Sequence, residues 1–264
     1  MIVTNSLTRH QAREASAEEL ARNLQSAPPE YLEGALDNSA LSEEHVLEIL
    51  RNPGASASLL QRIGLDMSWT RSYAVKAALV GHPSTPAAVN LHLVNFLFWR
   101  DLARVSENFR LQPQLRRAAE TLLRERLQEM ALGERIALAR IAGRGIITGL
   151  RNETNEMVVS ALLKNSRLVE EDLLLLCNKS RSPKVLGAIG RSDRWRCRPA
   201  VRLALGRNPR TPLSVSVSLL CGLIDEDLKD LSQRADLPQA LRRSASGLLQ
   251  ERRRQRHPVG GGLA

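Results

Sequence analysis

The chain repeats itself, and no other feature of it restricts the fold as much. Shifted by 126 residues, positions 60–127 overlay 186–253 without a gap, with 26 identities in 68 positions, about 38%. "LRRAAETLLRER" (115–126) meets "LRRSASGLLQER" (241–252), and "AVKAALVGHPSTP" (74–86) meets "AVRLALGRNPRTP" (200–212). With one residue of slippage the match continues upstream, where "NSALSEEHVLEIL" (38–50) meets "NSRLVEEDLLLLC" (165–177). Any fold for this chain must therefore run the same set of elements twice in succession.

Each half is itself made of short helical units. A Leu/Ala-rich turn leads to Asn or His, then Pro or Ser, then Ser or Thr, and another apolar-periodic run begins, as in "ILRNPGASASLLQRI" and "ALGRNPRTPLSVSVSLL". Leu115, Ala118, Ala119, Leu122, Leu123 and Leu127 fall at helical and not alternating spacing. Asn38, Asn52 and Asn208 are expected to end helices in the left-handed conformation, with Pro53, Pro83 and Pro209 blocking continuation. Thr85 and Thr211 are expected as N-caps ahead of Pro86 and Pro212, and Ser16 with Glu19 fits a capping box. With aromatic residues at only 3% of the chain, the core must be Leu, Ala, Val and Ile, which suits close helix packing. The pattern predicts an all-α chain of about 14–16 short helices stacked as an α-solenoid. Residues 1–14 read as an N-terminal extension, 15–253 as the solenoid, and 254–264 as a basic, Gly-rich tail. Copy one spans about 15–127 and copy two about 134–253, with 128–159 read as the opening helical pair of copy two.

The turns "GHPSTP" and "GRNPRTP" resemble those of bacterial HEAT-like solenoids, and among these the chain resembles the leucine-rich repeat variant family. That resemblance, spread over roughly 15–253, implies a right-handed superhelix of α- and 3₁₀-helices offering an interaction surface. It does not extend to the family's iron–sulfur centre, because no cysteine precedes Cys177.

The duplication also serves as a control, since a residue shared by both copies serves the shared scaffold most simply. Trp69 and Trp195 overlay, as do Gly64 and Gly190, Asp101 and Asp227, and the pairs Arg116–Arg117 and Arg242–Arg243. The tryptophans read as packing anchors and the arginine pairs as a solvated face joined to Glu120 or Glu125. "RSDRWRCRPAVRLALGRNPR" (191–210) behaves differently. It keeps the Trp, the Ala-Val and the Pro of copy one but adds Arg191, Arg194, Arg196, Arg198, Arg202, Arg207 and Arg210. Over 178–210 there are ten basic residues and one acid, against three and one over 52–84. The whole chain has a formal charge of +10, with residues 1–60 at −5 and 191–264 at +8. Only five of its 38 basic residues are lysine, so arginine enrichment is also a general habit of the sequence.

Catalytic and cofactor patterns are sparse. Cys177, Cys197 and Cys221 form no C-x-x-C pair and read as buried, reduced thiols, so no metal or other cofactor is expected. The five histidines stand apart from one another; His82, opposite Asn208, reads as a turn cap. "GRGIITG" (143–149) lacks the strand and lysine of a phosphate loop. The N-terminus has no secretory pattern, and the longest apolar run, 93–99, is too short to span a bilayer, so a cytoplasmic protein without membrane contact is expected. The expected function is a non-catalytic scaffold that binds an acidic protein through those seven arginines. The alternative is a phosphate-dominated nucleic-acid binder. A HEAT-like DNA glycosylase using Trp99 and Asp101 is a weaker third reading.

Overall fold

The computed structural model describes residues 8–256, and every regular element among them is helical: 20 α-helices and three 3₁₀ turns. The number exceeds the expected 14–16 because apolar runs read as one helix are broken, twice leaving a single turn. The chain divides into two compact units, 1–126 and 127–264, so the boundary falls where copy one ends.

The N-terminal unit contains α1 (Arg9–Glu14), α2 (Ala17–Asn23), α3 (Pro29–Ala35), α4 (Glu43–Arg51), α5 (Ala57–Leu65), α6 (Met67–Thr70), α7 (Tyr73–Gly81), α8 (Ala87–Leu93), α9 (Trp99–Glu107) and α10 (Pro113–Arg126). The C-terminal unit contains α11 (Leu132–Ile141), α12 (Arg144–Leu150), α13 (Glu156–Leu162), α14 (Glu170–Lys179), α15 (Pro183–Arg191), α16 (Asp193–Arg196), α17 (Pro199–Arg207), α18 (Leu213–Leu219), α19 (Asp225–Gln233) and α20 (Gln239–Arg256). From α5 and α15 onward, corresponding helices begin 126 residues apart; α2, α3 and α4 begin 127 residues before α12, α13 and α14. The one-residue slip is therefore a residue missing from copy two between α14 and α15: α14 is ten residues long against nine in α4, but only residues 180–182 link it to α15 where 52–56 link α4 to α5. Helix α1 matches the last six residues of α11, so the segment read as an extension holds the first helix of copy one. It is packed, with α1 against α3 and its Thr8–Gln11 capping box formed.

Within each unit the main packing partners are near neighbours in sequence: α1 with α3, α2 with α4, α4 with α7, α5 with α8, and likewise α11 with α13, α14 with α17, α15 with α18. The buried side chains are almost entirely Leu, Val, Ile and Ala. The shared glycines explain one close crossing in each unit. A Cβ on Gly64 would lie 2.4 Å from a Val89 methyl, and one on Gly190 would lie 2.2 Å from a Val215 methyl.

The punctuating asparagines act differently from the expectation. No described residue has a positive φ, so Asn38, Asn52 and Asn208 do not end helices in the left-handed conformation. They work through their side chains. Asn52 Nδ2 donates to the carbonyls of Leu24 (2.8 Å) and Ala27 (3.0 Å), while its Oδ1 accepts from Gly54 N (2.8 Å). Asn38 brackets Ala12 and Ala15 in the same way, and Asn165 brackets Ala139 and Ala142. Asn208 brackets Cys177 and Ser180. Each amide thus satisfies the orphan carbonyls at the end of an earlier helical segment and holds its own turn, locking one repeat onto the last. His82 is a variant of the same device: its Nδ1 accepts from Ser84 N and its ring hydrogen-bonds the Asn52 backbone.

Thr85 and Thr211 are not N-caps. Both are buried, and each hydroxyl donates over 2.7 Å to a carbonyl six residues back, Leu79 and Leu205. The N-cap positions belong to Pro86 and Pro212, because a side chain turned back to close the preceding helix cannot also cap the next. The Ser16–Glu19 capping box is formed as expected, and it holds the Glu19 carboxyl below its usual range.

Candidate functional site

The seven arginines of 191–210 do not make one surface. Helix α16 ends at Arg196 and α17 begins at Pro199, so Arg194, Arg198 and Arg202 share no helical stripe; Arg198 is the N-cap. Four of the seven are engaged within the fold. Arg191 pairs with Glu156 at 2.8 Å. Arg194 donates to the carbonyls of Asn165 (2.9 Å) and Leu168 (3.5 Å) and lies over the Trp195 ring. Arg202 donates to Arg196 O (2.7 Å) and Gly222 O (3.1 Å), and Arg207 Nε donates to Asp230 (2.9 Å). Arg196 is exposed, 3.9 Å from Asp193. Arg198 and Arg210 are exposed, and neither side chain has a partner among the described residues.

Comparison with copy one accounts for Arg202. Lys76 occupies the place of Arg202 and lies over the Phe96 ring; copy two has Gly222 where Phe96 stands. A Cβ on Gly222 would fall 1.9 Å from Arg202 Nη1, so the lost ring made room for a guanidinium on the exposed carbonyl. Arg126 and Arg252 form a shared pair: Arg126 donates to Leu97 O and Asn95 O, Arg252 to Leu223 O and Cys221 O. Arg126, Arg194, Arg202 and Arg252 are thus fastenings within the fold, in which a five-donor fork satisfies turn carbonyls. A buried carboxylate adds to it, since Asp172 is held by both Arg144 and Arg151.

The cations that stay available gather elsewhere. A cleft of about 900 Å³ in the C-terminal unit is lined by Asn178, Lys179, Ser180, Arg181, Arg207, Asn208, Pro209, Arg210, Arg234 and Asp236. It holds five cations and one carboxylate. Arg207 is paired with Asp230, and Arg234 grips Asp236 through Nε (3.2 Å) and Nη2 (2.9 Å), which keeps that carboxyl below its usual range. Lys179, Arg181 and Arg210 are exposed and carry no ion pair. The cleft therefore presents about three unneutralised positive charges, two from the end of α14 and the turn after it and one from the turn after α17. Of the arginines singled out in the sequence, only Arg207 and Arg210 line it.

The opening has a traceable origin. At the 127-residue register of α4 and α14 Lys179 stands where copy one has Asn52, so an ammonium replaces a bracketing amide and the turn that follows is shortened from 52–56 to 180–182. A second cavity, of about 220 Å³, shares Lys179, Ser180 and Arg181 with the cleft and reaches Arg151, Asn152, Glu153 and Thr154. That is the turn corresponding to the one Asn52 closes in copy one. Here Glu153 turns inward instead, accepting from Thr154 N and Asn155 N. The other cleft cations are also particular to copy two: Arg181 replaces Gly54 or Ala55 according to register, Arg207 replaces Gly81, Arg210 replaces Ser84, and Arg234 replaces Asn108. Lys179, Arg181 and Arg234 could have been found by asking which bases have no basic counterpart in copy one, since none has one at the register of its own helix or turn.

The remaining candidates settle into structure. Trp195 is buried and its Nε1 donates to Leu163 O (3.0 Å), whereas Trp69 is half-buried. The Asp101 carboxylate takes the Tyr73 hydroxyl and lies 3.5 Å from Arg104, so it fastens α7 to α9. Arg116 lies over the Phe109 ring, and neither Arg116 nor Arg117 pairs with Glu120 or Glu125. Cys177 is buried, and burial pushes its thiol up to about 12, but Cys197 and Cys221 are exposed, contrary to expectation. Each of those two donates to the carbonyl three residues back, at the end of a short helix that leaves the thiol outside. Among the described residues no three of His, Cys, Asp and Glu form a metal centre, and no helix is long and apolar enough to cross a membrane. No protein-family model matches the chain, and neither a curated protein nor a solved structure matches it.

Proposed function

We propose that the protein is a non-catalytic interaction scaffold, a HEAT-like α-solenoid resembling the leucine-rich repeat variant family, whose C-terminal unit binds an acidic protein segment. The observation that carries this reading is the cleft between Lys179 and Arg234: its five cations all stand where copy one has uncharged residues, on the same scaffold. The stacking of near neighbours and the amides that lock successive turns support the solenoid.

An acidic polypeptide fits this lining better than a nucleic-acid backbone. The free charges are three discrete points, and no aromatic ring lines the cleft for base stacking. Asn178 and Ser180 add amide and hydroxyl groups suited to a peptide main chain. Arginines paired bidentately with carboxylates supply orientation as well as charge.

The test is fluorescence anisotropy of a labelled oligoglutamate peptide, in competition with single-stranded DNA and RNA of random sequence. Saturable peptide binding that oligonucleotides of equal charge displace poorly is the expected result. Tighter binding to nucleic acid, with affinity falling steeply with salt, would replace this reading by the phosphate-binding one. Retention of neither probe at low salt would remove both.

A further inference from the structure

The N-terminal unit carries a second copy-specific surface, of opposite character. Tyr73, at the start of α7, stacks on Phe98 with ring centroids 4.4 Å apart, and its hydroxyl accepts from Phe98 N (3.0 Å) while donating to Asp101. One turn along α7, the Lys76 ammonium lies 5.3 Å from the Phe96 ring centroid, and Arg100 stands equally close over Trp99. Phe96 and Phe98 are nevertheless 52% and 66% exposed. Rings this accessible in a chain so poor in aromatics, stacked on a tyrosine that two hydrogen bonds hold in place or lying under a lysine, form a shelf and not an accident of packing.

The scaffold does not require the shelf. Copy two keeps the same helices with Pro199, Gly222, Ile224 and Asp225 where copy one has Tyr73, Phe96, Phe98 and Trp99. The electrostatics of the shelf are one-sided. Lys76 and Arg100 contact the rings, and Arg126 donates to the carbonyls of Asn95 and Leu97 beneath them; none of the three is paired with a carboxylate. The one acid present, Asp101, is taken by Tyr73 and Arg104.

We propose that the shelf formed by Tyr73, Phe96, Phe98 and Trp99 docks a protein segment that combines apolar side chains with carboxylates. The rings bury the apolar side chains, and Lys76 and Arg100 meet the carboxylates in a setting partly stripped of water. The charge complementarity selects against a basic amphipathic segment and against a second copy of this shelf, which would bring like charges together. The site is independent of the cleft described above.

The experiment uses the full chain and three labelled peptides of equal length: one of leucine and glutamate at helical spacing, one of leucine and lysine, and one of glutamate alone. The Leu/Glu peptide is expected to bind wild type, to bind Phe96→Ser/Phe98→Ser at least tenfold more weakly, and to lose affinity again in Lys76→Glu. Binding retained in Arg181→Ala/Arg210→Ser separates the shelf from the cleft. Both phenylalanines are exposed, so circular dichroism should show the serine variant folded. Four results would each overturn the proposal: no binding of the Leu/Glu peptide, equal binding by the serine variant, equal binding of the Leu/Lys peptide, or a wild-type dimer that the serine variant dissolves.

Discussion

Replacing Asn52 by alanine removes a side chain that is only 3% exposed and makes three hydrogen bonds, to Leu24 O, Ala27 O and from Gly54 N. Each bond contributes about 1 kcal/mol net, and the partners left behind are main-chain groups, two of them carbonyls facing a buried side chain. The expected loss is about 3 kcal/mol, a large share of the stability of a small domain. Asn165→Ala should cost the same, because its three distances are nearly identical at 2.9, 3.0 and 2.8 Å. Asn108, whose side chain only accepts from Arg110 N, should cost no more than about 1 kcal/mol. Asn52→Asp is the sharper variant: it keeps the acceptor for Gly54 but turns a carboxylate oxygen toward two carbonyls. It should be at least as destabilising as alanine at neutral pH and recover as the acid is protonated. Urea unfolding followed by circular dichroism measures all four. If Asn52→Ala and Asn108→Ala lost equal stability, or Asn52→Ala lost less than about 0.5 kcal/mol, the amide brackets would not be what joins successive repeats.

Two further outcomes follow from the comparison of copies. Gly222→Ala drives a methyl to within 1.9 Å of Arg202 Nη1 and should cost about 1–2 kcal/mol by detaching it from two carbonyls; Gly222→Phe with Arg202→Lys, the pair found in copy one, should recover part of the loss in a double-mutant cycle of unfolding midpoints. His82 is held below its ordinary value by burial, so the unfolded chain binds the extra proton first. Stability should then fall as the pH drops below about 6.5 and level off below the folded value, and His82→Asn, the residue of copy two, should abolish that fall in thermal unfolding across pH 5–8.

The helical class and the duplication were legible because they rest on local signals: apolar spacing, Asn-Pro and Thr-Pro turns, and identities at a fixed shift. Helices α5–α10 and α15–α20 coincide at the shift of 126 read from the sequence. What the asparagines do was not legible, since their partners lie 23–31 residues earlier and a left-handed cap has the same local signature. Thr85 and Thr211 misled for a related reason: a hydroxyl between two helices can serve either, and burial decided for the preceding one. The arginine stretch was recognised as particular to copy two, but linear density does not separate a guanidinium on a carbonyl, such as Arg202, from a free one, such as Arg210. The cleft depends on residues 55 positions apart, Lys179 to Arg234, and on a one-residue deletion whose place only the helix boundaries reveal.

The central claim is that copy two acquired a binding cleft on a scaffold that copy one keeps without it. Giving the cleft copy-one residues, Arg181→Ala and Arg210→Ser, tests that claim most directly. Both side chains are exposed and unpaired, so the unfolding midpoint should not change. Affinity for the oligoglutamate peptide near physiological salt should fall about tenfold or more, the loss of two charge-assisted contacts of about 1 kcal/mol each. Unchanged peptide affinity in a variant of unchanged stability would contradict the account.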